Sequence, residues 1–134
     1  GSGARRHRER CYVMPADYRI DSTEGVIYSR AWGTVTDRDL IDNRDGMLRD
    51  GSFDRNHRQL YDLTGVINVE VTAAAVRTLA QSSPFPPDAV RAIAVSSDVV
   101  FGMVRMYAIL GDRDEARFRI FRDRDEALAW LLDQ

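Results

Sequence analysis

Few side chains in this sequence carry the chemistry to act on a substrate, and their spacing narrows the choice. His57 stands beside Arg58, with Asp54 shortly before it and Asp62 shortly after. A histidine near a carboxylate is the usual general base, so a small hydrolase using His57 and strand-end aspartates is one reading, and it requires His57, Asp62 and Arg105 to converge in one cleft. Cys11 is the single cysteine, which excludes an intrachain disulfide, and a Cys-His nucleophile pair would need residues 1–14 to fold back. One cysteine and two histidines supply no soft ligand set for zinc. Aspartates crowd positions 37, 39, 42, 45, 50 and 54, yet no register gives a calcium loop, which needs alternating oxygen ligands, a glycine and a glutamate at the twelfth place. They read as a solvated helix face with arginine partners. No catalytic residue, metal or cofactor is expected; all 19 basic residues are Arg, which excludes Schiff-base chemistry and a Walker-type lysine.

Binding is better represented. Residues 99–110 form the longest apolar stretch, 12 residues interrupted by Arg105. It is too short to span a bilayer, which needs about 20, and its period is helical. A helix apolar nearly all round is contacted on both sides. With Val99, Met103, Met106, Leu110, Val100, Val104 and Tyr107 against a sheet, the stripe Phe101, Gly102, Arg105 and Ile109 is left over. It would either pack in a dimer or under the last helix, or form the movable wall of an apolar pocket with Arg105 as anion anchor. The expected ligand- or partner-binding residues are Phe101, Arg105, Met106, Tyr107 and Ile109. A guanidinium there must reach water, a carboxylate such as Asp62 or Asp98, or an anionic group on a ligand or partner.

The elements that would position these groups alternate regularly. Residues 18–21 and 26–32, joined by Ser22-Thr23-Glu24-Gly25, read as a β-hairpin. Thr36-Asp37-Arg38-Asp39 resembles a capping box opening a helix to about residue 50. A short strand is expected at 58–63 and a second helix within 68–83, capped by Thr72 and ended by Pro84-Phe85-Pro86-Pro87. Residues 92–95 are the unbroken apolar run of a strand buried on both faces. A helix at 98–110, a strand at 116–120 and a last helix capped by Asp123 with Glu126 complete the order β-β-α-β-α-β-α-β-α. The fold class is α/β: one mixed sheet of about five strands covered by about four helices.

At 134 residues, with 44% hydrophobic and 30% charged, the chain suits one globular domain and not a fibrous, disordered or membrane-spanning protein. Residues 1–14 hold Arg5, Arg6, Arg8 and Arg10 and no core-forming period; with Gly1-Ser2-Gly3 in front and Met14-Pro15 behind, they read as a tail or leader, and 15–134 as the domain. The body is mildly acidic, so no nucleic-acid partner is expected. The cysteine usage suits a cytoplasmic setting.

Leu60-Tyr61-Asp62-Leu63-Thr64-Gly65-Val66, Val100-Phe101-Gly102-Met103-Val104-Arg105-Met106-Tyr107, and Phe121-Arg122-Asp123 followed by Glu126-Ala127-Leu128-Ala129-Trp130-Leu131 resemble the SpoIIAA-like family of small bacterial proteins, over residues 15–134. That family is grouped with STAS domains and with CRAL-TRIO lipid-binding domains. The resemblance implies a STAS-like, non-enzymatic and regulatory module that binds a partner protein or a small apolar or lipid-like ligand; a purely self-associating structural domain, a homodimer with a flat apolar face against its symmetry mate, is a separate reading of the residues. STAS anti-sigma antagonists carry a phosphorylated Asp-Ser-Ser/Thr-Gly motif at the start of the corresponding helix. Here that stretch is Asn68-Val69-Glu70-Val71-Thr72-Ala73, and Thr72 alone offers a hydroxyl, as phosphosite or as ordinary helix cap.

Overall fold

The computed structural model describes residues 15–134; the basic stretch expected to be a tail, and Cys11 with it, lies outside the described residues. The chain enters through a hairpin of β1 (Ala16–Asp21) and β2 (Val26–Thr36), turned by Gly25 at φ +71°, a value that favours glycine. Thr36 then caps α1 (Asp37–Arg49) through a reciprocal box: its hydroxyl accepts from the Asp39 amide and the Asp39 carboxylate accepts from the Thr36 amide. There follow β3 (Arg58–Glu70), α2 (Ala73–Gln81), β4 (Arg91–Val95), α3 (Asp98–Leu110), β5 (Phe118–Phe121) and α4 (Arg124–Leu132). The five strands lie in the order β1-β2-β3-β4-β5, the first pair antiparallel and the rest parallel.

Parallel neighbours added in one direction need crossovers of one hand, which places α1, α2 and α3 on the same face of the sheet. Among the described residues only α4 covers the other, where Ala127 and Leu131, both fully buried, pack on Val26, Leu60, Ala92 and Ala94. All five residues of β4 are buried, as a strand covered on both faces requires.

Two boundaries differ from the sequence reading. β3 runs to Glu70 instead of ending at Leu63, and α2 begins at Ala73, after the Thr72 cap. Opposite β2 the register slips between Arg30 (Asp62) and Trp32 (Gly65), and again between Gly33 (Val66) and Thr34 (Asn68), so β3 carries an extra residue at each bulge. Leu63, Val66 and Val69 therefore face the same side at intervals of three, which imitates a helical period, while Ile67 is left 80% exposed. The last strand starts at Phe118 because Arg117 and Phe118 donate their amides to the Asp114 carbonyl in a turn.

α3 meets the sheet through Val100 and Val104, both buried, with Phe101, Met103 and Tyr107 beside them. Val99, expected against the sheet, is 70% exposed, because it lies about 100° around the helix from Val100.

Candidate functional site

The long β2–β3 ribbon reaches past β4 and feeds both flanking helices. Thr36 and Glu70 pair at its end, so α1 and α2 start side by side, and Asp37 accepts hydrogen bonds from the Thr72 amide (2.7 Å) and hydroxyl (2.8 Å). At the far end Arg44 of α1 donates to the hydroxyl of Ser82, the α2 C-cap (2.6 Å). α2 packs mainly on α3 and stands off the sheet, held to α1 by these polar contacts. Beneath it lies a cavity of about 120 Å³. Its walls are predominantly apolar: Val35, Leu63, Val66, Val69 and Ile93 from the sheet, Leu40 and Met47 from α1, Val76 and Leu79 from α2, Val100, Met103 and Val104 from α3.

One end of this cavity is polar. Arg91, at the start of β4, is 5% exposed; its Nε donates to Gln59 Oε1 (2.8 Å), and Gln59 Nε2 donates to Ser29 Oγ (3.0 Å). Arg91 Nη1 donates to the Tyr107 hydroxyl (2.8 Å). The chain Ser29–Gln59–Arg91–Tyr107 thus crosses β2, β3, β4 and α3 along the cavity floor. Aromatic rings surround the guanidinium, with Phe85, Tyr107 and Phe118 centroids at 4.5, 5.2 and 5.3 Å. Among the described residues no carboxylate forms an ion pair with Arg91. Taking such an ion out of water costs several kcal/mol, and neutral acceptors and ring faces offset only part of that.

Arg113 adds a second guanidinium beside Tyr107, its centre 5.9 Å from the ring, with Nη1 donating to the Phe85 and Pro86 carbonyls and a buried, unpartnered Nε. Burial pushes Arg113 below its ordinary value, with Tyr107 opposing and the Arg91 charge assisting. For Tyr107 burial alone would raise the phenol, but the Arg91 charge, hydrogen bonding to Ser83 and Arg91, and the Arg113 charge outweigh it, so it ionises below its ordinary value. Tyr61, also on the cavity wall, is instead raised, because burial dominates the opposing hydrogen bond from Asn43 and the Arg91 charge.

The residues singled out from sequence separate. Tyr107 lines the cavity; Phe101, Arg105 and Ile109 line a shallower outer cleft with Arg119 and Ile120, and half-buried Met106 lines neither. Arg105 is exposed and reaches water, pairing with neither Asp62 nor Asp98. Asp98 takes Arg122 (2.8 Å), and Asp62 turns toward α4, where Arg124 lies 3.6 Å away. His57 sits at the mouth of β3 with its Nδ1 buried and unpartnered, and none of His57, Asp62 and Arg105 lines the cavity. Nor are the clustered aspartates mainly arginine partners. Asp37 and Asp39 serve helix starts, Asp50 accepts from the Tyr18 hydroxyl and the Ser52 amide, and Asp54 from the Asn56 amide; among the described residues Asp45 alone of the cluster meets an arginine, Arg44. Among the described residues no group of three His, Cys, Asp or Glu side chains could hold a metal ion, and no helix is long and apolar enough to cross a membrane. Gln59 and Arg91 escaped the sequence reading; the only signal was a polar residue at or next to the start of each of two central strands, ahead of the apolar Leu60 and Ala92.

Comparison with solved structures finds an uncharacterized protein of the DUF3478 family from Shewanella loihica PV-4, described as having a SpoIIAA-like fold. The two chains match with a TM-score of 0.56 at 18% identity, over 90% of this chain and 96% of that one. No protein-family model matches the sequence, and no curated protein matches it significantly. The mixed five-stranded sheet with its four helices in alternating order is therefore a SpoIIAA-like α/β fold.

Proposed function

We propose that this protein is a non-enzymatic, STAS-like binding module that holds a small apolar ligand between its sheet and α1, α2 and α3. The carrying observation is the cavity under α2. At about 120 Å³ it approaches the roughly 150 Å³ of an engineered apolar cavity that takes up benzene. Among the described residues no His, Cys, Asp or Glu lines it, which favours retention of a ligand over its conversion. The α2 cover packs on α3 and is joined to α1 by polar contacts, so parting it from α1 to admit a ligand breaks the Asp37–Thr72 and Arg44–Ser82 hydrogen bonds while the α2–α3 packing is kept.

The test is a thermal melt and an amide-resonance titration with benzyl alcohol and 1-hexanol. Binding to the folded state raises the melting temperature and shifts resonances of cavity residues. Leu79→Trp, which fills the cavity, should abolish both. Neither alcohol perturbing the protein would sink the reading.

A second reading, a docking face for a partner protein or second copy, is favoured by the outer line of α3, where Val99 and Ile109 are each 70% exposed beside Gly102 and Arg105. Native mass spectrometry of the full chain and of Ile109→Asp tests it. A higher assembly lost in the variant supports it; a monomer in both excludes self-association.

A further inference from the structure

We infer that the cavity's ligand is a compact carboxylic acid whose carboxylate is held by Arg91 and Tyr107. This rests on the proposed ligand-binding reading and names its chemistry.

Three features converge. Arg91 is a permanently charged group, 5% exposed, at the floor of a predominantly apolar cavity. Its interior partners are neutral: Gln59 on Nε and Tyr107 on Nη1, with no hydrogen bond from Nη2 among the described residues. Because the Tyr107 oxygen already accepts from Arg91, the phenol's own proton is the one it can donate. An incoming carboxylate thus meets guanidinium N–H groups and a phenol O–H, and supplies the negative charge the site lacks. The depressed phenol agrees with a positive local field.

Size restricts the class further: a phosphate headgroup, bulkier than a carboxylate, leaves less of the cavity's volume, about 120 Å³, for an apolar body. The volume is somewhat under that of the cavity that takes up benzene, so it admits an apolar body of about five carbons, as in hexanoate, with benzoate at its upper limit.

The experiment measures dissociation constants of the full chain for hexanoate against 1-hexanol and for benzoate against benzyl alcohol, at pH 7. The acids are expected to bind at least tenfold tighter. Gln59→Glu changes one amide to a carboxylate at the atom 2.8 Å from Arg91 Nε, nearly without change of shape, and supplies the counter-charge from within. It should erase the preference for acids and leave the alcohols bound. Arg91→Met should do the same by removing the charge, so either variant suffices if the other fails to fold. Equal affinity for acid and alcohol, or a preference that survives both variants, overturns the carboxylate assignment and leaves the cavity reading standing. Failure of all four compounds to bind overturns both.

Discussion

At the scale of single residues, Tyr107 is the group whose surroundings can be read in solution. Its phenol is held below the ordinary value, whereas Tyr18, Tyr28 and Tyr61 are raised, in each case chiefly by burial. Absorbance titration of phenolate should show, of the four described tyrosines among the chain's five, one ionising before free tyrosine, near 10, and three after it. Tyr107→Phe should remove the early phase alone. Because the folded value is depressed, this group adds stability fully above the unfolded value, and the contribution is lost as pH falls through the folded value. The same ionisation places a negative charge on Arg91, so carboxylate affinity should fall as the early phase develops. Arg105 makes the opposite case. Exposed and outside every ion pair among the described residues, it should tolerate Arg105→Met within about 0.5 kcal/mol in urea unfolding. A larger loss would show a contact that burial does not reveal.

At the scale of elements, α2 depends on its ends. Thr72 accepts from the Ala75 amide and donates to Asp37, joining two helix starts that the ribbon brings together. Thr72→Ala should cost about 1 kcal/mol, the usual loss of an N-cap. A phosphate on this hydroxyl would face the Asp37 carboxylate now 2.8 Å from it, so like charge opposes a phosphosite that helix geometry alone would favour. Thr72→Glu should accordingly unfold at lower urea than Thr72→Ala, and equal or greater stability of the glutamate variant would restore the switch. The caps of α1, α2 and α4 were legible because they are local, each set within three residues: Thr36 with Asp39, Thr72 with Ala75, Asp123 with Asp125. The far half of β3 was not, since its two bulges are made by the register with β2, and the resulting spacing of Leu63, Val66 and Val69 mimics a helix.

At the scale of the whole molecule, the two sheet faces bear different loads. Among the described residues α4 alone closes one of them, so Leu131→Ala, at a fully buried position, should cost about 2–5 kcal/mol in thermal or denaturant unfolding. A cost under about 1 kcal/mol would mean that this face tolerates opening. The other face is shared by three helices and gives up close packing to the cavity. Element order, the buried central strand and the helix caps followed from the sequence by itself, because periodicity, turn residues and caps act over a few positions. Where the charge goes was a tertiary decision. Arg105 stands in the most apolar run yet faces water, whereas Arg91, at the edge of a strand, is buried with partners 32 and 16 residues away, Gln59 and Tyr107. Burial of a guanidinium depends on which strands become neighbours and which helix crosses them, and no local pattern encodes that.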